Sequence, residues 1–366
     1  MPHVEIAGGG FAGLTAAIAI KKLGWSVRVH EAENELRQFG AGIYMWENGL
    51  RVLRAIGAYD DVISGLHAEG VMESRFDGQP GVIQRFGAET RCRMVTMTRQ
   101  HLYSAILKSA RRLDIEIVTG SEALGATEEG VLETASGRKY PADLVIGADG
   151  VNSRVRKSLG IQMEREIYGD GITRLLVDRA PAEVSNPGWN HVIDFWTRTP
   201  GPRRILYTPC NDKELYLAFM APRTDAEGAE VPINKKSWSS SFPYLAHIID
   251  RVEMQGRYDL YQTTRLETWS RGRVALVGDS AHAMPPTLGQ GAGLAMSNAL
   301  GLAVALGASK SIEDALRAWE RTDRPVTDHT QNYASDLAKT RKLIDGHAWS
   351  DNALRAARHV PTGTVA

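Results

Sequence analysis

Three glycines near the start of the chain have the spacing of a phosphate-binding turn. Gly8, Gly10 and Gly13 follow the apolar run VEIA and precede an alanine-rich stretch. In such a turn the first glycine permits a tight bend, the second lets the backbone approach a pyrophosphate, and the third allows helix and strand to pack closely. Glu31 lies 18 positions after Gly13, at the end of a second apolar run, where a carboxylate can bind both ribose hydroxyls. The pattern predicts a site for an adenosine-bearing dinucleotide, and the carboxylate disfavours the 2′-phosphate of NADP there.

Two further acidic residues stand where apolar runs end. Asp149 precedes Gly150 after the run ADLVIGA, and Asp279 follows Gly278 after the run RVALV. Taken alone, either aspartate is better explained as an ordinary residue at a strand-to-turn junction than as a ligand-binding residue. Together with the glycine turn, the two aspartate segments form a set of three motifs in a definite order along the chain, and this set is more specific than any one of them.

The elements that position these residues follow from the hydrophobic periodicity. The segment from VEIA to SVRVHE reads as strand, turn, helix and strand, which is a βαβ unit. In the middle of the chain, HVIDFWTRT, RRILYTP and ELYLAFMAP read as antiparallel strands, and the chain after the Gly278-Asp279 motif is mainly helical. We predict an α/β protein, α+β overall, with a Rossmann-like dinucleotide-binding domain, an inserted antiparallel-sheet substrate domain and a helical C-terminal region. The predicted boundaries are 1–70, 95–165 and 265–300 for the dinucleotide-binding domain, 71–94 and 166–264 for the substrate domain, 301–345 for the C-terminal helices and 346–366 for a tail.

The composition narrows the class of protein. Of the 366 residues, 43% are hydrophobic, and 43 Lys and Arg are balanced by 43 Asp and Glu. Because a zero net charge gives no general attraction to polyanions, we expect no nucleic-acid partner. Two cysteines without a CxxC pair argue against a disulfide framework or a metal site and suit a reducing compartment.

The apolar runs do not favour a targeting or membrane segment. No basic stretch precedes the first apolar run, so we expect no signal peptide and a cytoplasmic protein. The longest run, GAGLAMSNALGLAVALGAS, contains Ser297, Asn298 and several glycines, and we expect a buried helix there rather than a membrane span. No pattern in the sequence bears on the oligomeric state.

The three motifs, in this order, resemble those of a known family, the single-component FAD-dependent aromatic hydroxylases built like p-hydroxybenzoate hydroxylase. The resemblance covers nearly the whole chain and includes the segment DGVNSRVR from Asp149 and the segment GDSAH from Gly278, which continues to PP and GQG. It implies that the dinucleotide is FAD. The FAD-binding residues that it implies are Gly8, Gly10, Ala12, Gly13, Glu31, Arg37, Arg99, Asp149, Gly278, Asp279, Gly289, Gly291 and Ala292.

Some of these positions keep an alternative explanation. Arg37 is explained nearly as well as a solvated charge in a loop, and the Asp149 motif is partly structural in the family. The chain also departs from the family after Gly291, because Ala292-Gly293-Leu294 and Ser297-Asn298 stand where the family often has an asparagine and an acidic pair.

The resemblance also implies the reaction. Since only one dinucleotide fingerprint is visible, NADH or NADPH is expected to dock transiently and to reduce FAD, which then reacts with O₂ to give a flavin C4a-hydroperoxide. The flavin performs the oxygen transfer, while the protein orients the substrate and excludes water. No metal and no catalytic Ser-His-Asp set is required.

The predicted substrate sheet most resembles the hydroxylases that act on hydroxypyridine carboxylates. The matching substrate positions are Arg174, Arg204 and Tyr216, with Pro286 beside the flavin. An arginine can bind a carboxylate through two hydrogen bonds, and a tyrosine hydroxyl can pair with a ring hydroxyl. Met72 stands where the resembling enzymes have a pocket tyrosine. The arginines are alternatively explained as solubilising charges, and Tyr216 as a core residue.

The favoured function is therefore oxygenation of a small aromatic or N-heteroaromatic acid, with O₂ and NAD(P)H as further reactants. The alternatives are a salicylate- or hydroxybenzoate-type hydroxylase, a non-oxygenating FAD reductase and a flavin-binding regulator. The residues do not decide between hydroxylation and ring-opening oxygenation.

Overall fold

The structure is a computed structural model, and it describes residues 1–36, 40–66, 70–87, 89–198, 201–253, 255–340 and 349–365. Arg37, one of the predicted FAD-binding residues, lies outside these ranges.

Helices and strands follow one another in the first third of the chain, and strands dominate the middle. The strands in chain order are β1 His3–Ala7, β2 Ser26–His30, β3 Gly42–Trp46, β4 Val71–Phe76, β5 Gln79–Arg85, β6 Met94–Thr98, β7 Glu116–Val118, β8 Ala123–Thr127, β9 Val131–Thr134, β10 Lys139–Pro141, β11 Leu144–Gly147, β12 Met163–Asp178, β13 Val192–Thr197, β14 Arg203–Pro209, β15 Glu214–Pro222, β16 Tyr258–Leu266, β17 Ser270–Arg271 and β18 Val274–Leu276. The α-helices are α1 Phe11–Lys21, α2 Glu47–Ala55, α3 Tyr59–Ile63, α4 Arg99–Arg112, α5 Arg154–Ser158, α6 Pro181–Ser185, α7 Lys235–Ser241, α8 Ala246–Ile249, α9 Asp279–His282, α10 Gly291–Ala308, α11 Ile312–Thr340 and α12 Arg355–Arg358.

A six-stranded sheet, in the order β17-β18-β11-β1-β2-β7, carries all three sequence motifs. Strands β18, β11, β1 and β2 are parallel neighbours, so their carboxyl ends meet at one edge of the sheet. β1, β11 and β18 are almost entirely buried, which explains why they read as continuous apolar runs. The glycine turn, Glu31, Asp149 and the Gly278-Asp279 pair each follow one of these strands. The predicted α/β, Rossmann-like fold is confirmed.

A seven-stranded sheet, in the order β16-β12-β15-β14-β13-β4-β5, is antiparallel except between β13 and β4. Its two faces are covered by different parts of the chain. On the outer face Leu215, Leu217 and Phe219 of β15 pack against α7 and α8. On the inner face Tyr216, Ala218 and Met220 belong to a cluster with side chains of β3 and of the C-terminal region. The alternation of one strand therefore separates a structural face from a face that encloses a cavity.

Helix α10 packs against helices from the first part and from the last part of the chain. Among the described residues it is the one helix long and apolar enough to cross a membrane by length and composition, and 67% of it is buried inside the protein. Its packing partners are α1, α2 and α11. The apolar surface of α10 is thus core surface in this fold.

The end of the chain packs onto the protein instead of extending as the polar tail that we expected. Leu354, Ala356 and Ala357 are buried against the rest of the fold. The backbone N–H of Trp349 donates to Gln84 Oε1 at 2.7 Å, and Gln84 Nε2 donates to the Trp349 carbonyl at 3.1 Å. Short apolar side chains at these positions allow the segment to lie flat on the inner side of the sheet.

Candidate functional site

The glycine turn lies between the end of β1 and the start of α1. Gly8 has a φ of +103°, and a Cβ at this position would lie 2.3 Å from the Ala148 carbonyl oxygen. A Cβ on Gly13 would lie 2.0 Å from the Gly8 carbonyl oxygen. A Cβ on Gly10, in contrast, would have no atom within 4 Å among the residues that the structure describes, its two chain neighbours aside. The protein's own packing requires Gly8 and Gly13, whereas the space beside Gly10 is open for a ligand.

Glu31 closes one end of this region. The side chain is buried, and its Oε2 accepts a hydrogen bond from the Gly9 N–H at 2.9 Å while Oε1 accepts one from the Glu33 N–H at 3.2 Å. Both donors are backbone groups beside the turn, so the carboxylate is held in place before any ribose binds. A negative charge fixed here suits a diol and opposes a phosphate.

We expect Glu31→Ala to weaken FAD binding by about 10-fold to 100-fold, because charge-assisted hydrogen bonds of this kind contribute about 1.5–3 kcal/mol each. Glu31→Gln is the matched control, since its amide oxygen can still accept from Gly9 but carries no charge; its affinity should lie between those of wild type and Glu31→Ala. Quenching of FAD fluorescence during titration of the apoprotein measures all three. Equal affinities would remove Glu31 from the adenosine end of the site.

Asp279 and Arg99 lie at the other end. Asp279 is the first residue of α9. Burial raises the pKa of its carboxyl, while the positive charges of Arg99 and Arg174 oppose this rise. The Arg99 guanidinium carbon also lies 5.9 Å from the ring centre of Phe11, the first residue of α1. Arg99 is therefore close to the first residue of α1 and acts electrostatically on Asp279, and its contact with the cofactor stays a prediction.

The residues present suit an FAD molecule. The N–H groups in the first turn of α1 have no carbonyl partner within the helix and lie next to the open space at Gly10, which is the arrangement that binds a pyrophosphate. Glu31 and Asp279 follow strands on either side of β1 and β11, Gly289 precedes α10, and Gly291 and Ala292 are its first residues. Ala12 and Gly278 approach closely, since a Cβ on Gly278 would lie 2.9 Å from that of Ala12.

Asp149 has a demonstrable structural role. Its Oδ1 accepts from the Ser153 hydroxyl at 2.5 Å, and its Oδ2 accepts from the backbone N–H groups of Arg154 and Val155 at 2.7 and 3.1 Å. The carboxylate thus caps the short helix α5. A contact of Asp149 with the cofactor stays a prediction.

His282, within the GDSAH segment, is a buried neutral residue. Desolvation lowers the pKa of the imidazole to about 4. Its Nε2 accepts a hydrogen bond from Asn298 Nδ2 at 2.9 Å, and its ring packs on that of Trp269. His282 and Asn298 therefore join α9 to α10. In the part of the chain that the structure describes, no group of three or more His, Cys, Asp or Glu side chains could bind a metal ion.

A cavity of about 220 Å³ lies against the inner face of the seven-stranded sheet. Its lining combines aromatic and aliphatic side chains with a few polar groups. The lining residues are Ser74, Phe76, Asp170, Asp194, Trp196, Arg204, Met220, Tyr261, Thr287, Leu288, Tyr333, Leu337, Ala338, Trp349, Ser350 and Ala353. Strands, the 3₁₀ turn Pro286–Leu288, helix α11 and the C-terminal segment all contribute walls.

An ion pair stands at the sheet side of this cavity. Arg204 Nε donates to Asp194 Oδ1 at 2.5 Å, and the side chains are 16% and 11% exposed. The guanidinium carbon of Arg204 lies 4.8 Å from the ring centre of Trp196, its cross-strand neighbour. Nearby, the Tyr44 hydroxyl pairs with the Thr208 hydroxyl, and burial raises the pKa of Tyr44, so its phenol stays protonated.

The structure separates the predicted substrate residues. Arg204 lines the cavity, and Pro286 immediately precedes the cavity residues Thr287 and Leu288. Met72 is buried on the inner face but packs in an apolar cluster, and the β4 side chains that line the cavity are Ser74 and Phe76.

Arg174 and Tyr216 do not belong to the described lining of the cavity. Arg174 Nη1 donates to Asp259 Oδ2 at 3.3 Å, and its charge acts on both Tyr216 and Asp279. Tyr216 is buried beneath β3, because a Cβ on Gly42 would lie 2.5 Å from the Tyr216 Cβ. Burial raises the pKa of the Tyr216 hydroxyl, which therefore remains a hydrogen-bond donor.

Sequence reasoning missed Asp194, Trp196 and Tyr261, and also the wall formed by α11 and the C-terminal segment. A signal for Asp194 and Trp196 was present, because HVIDFWTRT places them two positions apart, on one face of a strand. An acidic residue on a face that otherwise carries Val192 and Trp196 needs a partner, and Arg204 provides it. Nothing local marks the residues of α11 as cavity residues.

Comparison with known proteins agrees with this geometry. The family described as FAD binding domain matches residues 2–329. The chain therefore belongs to this family and is a class A FAD-dependent monooxygenase. The tetrameric form of 2-methyl-3-hydroxypyridine-5-carboxylic acid oxygenase superimposes with a TM-score of 0.95 and 46% identity, covering 100% of this chain and 98% of that one.

Two curated relatives have names that indicate a different ring system. A putative 2-heptyl-3-hydroxy-4(1H)-quinolone synthase of Rhodococcus erythropolis is 39% identical over 99% of this chain and 97% of that protein. The 2-heptyl-3-hydroxy-4(1H)-quinolone synthase of Mycobacteroides abscessus is also 39% identical, over 90% and 88% respectively. The predicted FAD-dependent monooxygenase class is confirmed.

Proposed function

We propose that the protein is a single-component monooxygenase that uses NAD(P)H and O₂ to oxygenate a small N-heteroaromatic compound, with a hydroxypyridine carboxylate as the first candidate. The observation that carries this proposal is the cavity with the Asp194–Arg204 pair in an otherwise largely aromatic and aliphatic lining. Its volume of about 220 Å³ is sufficient for an aromatic ring. Support comes from the 46% identity to the hydroxypyridine-carboxylate oxygenase.

The protein's own groups bind and orient the substrate. Bound FAD supplies the electron transfer and oxygen chemistry, held by the glycine turn, Glu31 and Asp279. Trp196 and Phe76 provide flat apolar surfaces for an aromatic ring, and Arg204 hydrogen-bonds an oxygen substituent. Leu337 and Trp349 cover the other side and exclude water, which would otherwise divert reduced oxygen into peroxide.

A quinolone is the second candidate. The two relatives at 39% identity carry that ring system in their names. Leu288, Ala338 and Ala353 add aliphatic surface to the cavity that a fused second ring could contact. Both candidates share a nitrogen-containing aromatic ring with an oxygen substituent.

We expect NADH or NADPH oxidation to be slow without substrate and to accelerate when the correct N-heteroaromatic compound is added. The reason is that the chain shows a single dinucleotide fingerprint, so the reductant depends on transient docking and on the position of the flavin. Pyridine-nucleotide absorbance, peroxide yield and product mass would be followed with hydroxypyridine carboxylates, quinolones and hydroxybenzoates.

The outcome separates the remaining alternatives. A product heavier by one oxygen atom supports the proposal, and preference for hydroxybenzoates would indicate the salicylate- or hydroxybenzoate-type hydroxylase. Equal oxidation rates with and without each compound, and no oxygenated product, would contradict it and favour a reductase or a flavin-binding regulator.

A further inference from the structure

We infer that Asp194 is a specificity-determining residue that accepts a hydrogen bond from a ring N–H, while Arg204 donates to an oxygen on the same ring. The pair would select the adjacent N–H and carbonyl of a lactam or pyridone ring, and a carboxylate elsewhere on the ring, as in a hydroxypyridine carboxylate, would be directed away from Arg204. The inference rests on the proposed function and assigns the substrate chemistry within the same cavity.

Asp194 and Arg204 form a pair of opposite charges in the cavity lining. Both side chains line the cavity, and their hydrogen bond of 2.5 Å joins Arg204 Nε to Asp194 Oδ1. The two charges compensate each other within the pair, and Asp170 is a further acidic residue of the cavity lining. A substrate carboxylate bound to Arg204 would lie within a few ångströms of the Asp194 carboxylate, and like charges at that distance repel strongly in a partly buried site. The carboxylate clamp predicted for Arg204 from the sequence is therefore disfavoured by its neighbour.

The ion pair has hydrogen-bonding groups beyond those that join its two members. Within the described residues, the Arg204 side chain is the hydrogen-bond partner of Asp194, and it uses Oδ1. The second carboxylate oxygen of this cavity-lining side chain is a further acceptor, and the guanidinium carries further N–H donors in a planar fork. The pair thus presents one acceptor and several donors side by side. A ring N–H next to a ring carbonyl is the complementary arrangement.

Aromatic side chains are neighbours of the Asp194–Arg204 pair. The Trp196 ring lies under the guanidinium at 4.8 Å, which holds the planar fork in a fixed orientation. Burial disfavours the charge of Arg204, but Asp194, Tyr261 and Tyr44 outweigh this effect and raise the pKa of the guanidinium. Arg204 is therefore a permanent donor, and a ligand must provide an acceptor for it and a donor for Asp194.

Three bicyclic probes of similar size test the inference on the FAD-loaded protein: 2-quinolone, N-methyl-2-quinolone and 2-naphthoate. Dissociation constants are measured by flavin absorbance and by calorimetry without reductant. We expect wild type to bind 2-quinolone at least about 10-fold more tightly than its N-methyl analogue, since a hydrogen bond to a charged group is lost. 2-Naphthoate should bind weakly.

Asp194→Asn keeps the side-chain shape but removes the charge. We expect the preference for 2-quinolone over the N-methyl analogue to fall to a few-fold and the affinity for 2-naphthoate to rise by about 10-fold, because Arg204 then lacks its counter-charge. The opposite signs for the two ligand classes distinguish recognition from a general loss of packing.

Asp225→Asn is the matched control. Asp225 forms the same type of pair with Arg203, the adjacent residue on β14, but on the outer face of the sheet, at 2.7 and 2.8 Å. Its substitution should leave the ratios of the three dissociation constants unchanged, whatever it does to thermal stability.

Several results would overturn the inference. These are equal wild-type affinities for 2-quinolone and its N-methyl analogue, failure of wild type to bind 2-quinolone, or unchanged ligand ratios in folded Asp194→Asn. The wild-type comparison needs no variant, so it decides the question even if Asp194→Asn does not fold. The proposed function fails separately: discrimination against N-methylation without any oxygenated N-heteroaromatic product would contradict the monooxygenase proposal alone.

Discussion

Gly10→Ala is expected to fold with nearly wild-type stability and to lose FAD. In the part of the chain that the structure describes, and chain neighbours aside, a Cβ at this position meets no atom within 4 Å, and the φ of −77° is accessible to alanine. The methyl group would occupy the space through which the cofactor's pyrophosphate approaches the backbone. We expect the dissociation constant for FAD to rise by about 100-fold or more, equivalent to about 2.7 kcal/mol.

Gly13→Ala is the control for this prediction. Its Cβ would lie 2.0 Å from the Gly8 carbonyl oxygen, so the backbone itself must move and both stability and FAD binding should be lost. Thermal unfolding of the apoproteins and FAD titration give the two quantities separately. If apo-Gly10→Ala bound FAD as tightly as wild type, the pyrophosphate would have to lie elsewhere.

Arg204→Ala is expected to raise the dissociation constant of the aromatic substrate by about 100-fold. The reason is that the guanidinium of Arg204, which the substitution removes, supplies charge-assisted hydrogen bonds to the substrate. FAD content should stay normal, because Arg204 lies on the sheet side of the cavity. Some stability will also be lost, since Asp194 keeps its charge without a partner. Flavin absorbance titrated with substrate measures the change.

Arg203→Ala is expected to lower the stability of the protein without changing its affinity for substrate. Arg203 is 1% exposed, pairs with Asp225, hydrogen-bonds Ser237 and Ser241, and lies 5.0 Å from the ring centre of Trp238. Breaking this buried pair should cost about 3–5 kcal/mol of unfolding free energy while substrate affinity per folded molecule stays unchanged. Wild-type substrate affinity in Arg204→Ala would show that the cavity is not the substrate site.

The alternation of the strand RRILYTP explains why two adjacent arginines have such different roles. Successive side chains of a strand point to opposite faces, so Arg203 enters the outer core and Arg204 enters the cavity. This separation follows from sequence once β14 is recognised. Which of the two faces encloses a cavity does not follow from it, because both faces of the sheet are buried.

The βαβ unit, the glycine turn and the position of Glu31 were determined by the sequence alone. Each depends on interactions within about 30 consecutive residues, where apolar periodicity and the steric needs of glycine leave few alternatives. The antiparallel character of the central strands was likewise predictable from their alternation. The Asp194–Arg204 pair joins neighbouring strands, and its two members are only ten residues apart.

Only the tertiary structure decided which of these residues meet around the cavity. The cavity joins β13 and β14 to Leu288, α11 and the segment that contains Trp349, which are separated by up to about 150 positions in the chain. It also placed Ser74 and Phe76, rather than Met72, at the cavity, and it gave Arg204 a carboxylate partner that changes the charge a substrate encounters. The physical reason is that a local pattern determines the face on which a side chain lies, whereas the packing of distant elements against that face determines its neighbours, its burial and therefore its chemistry.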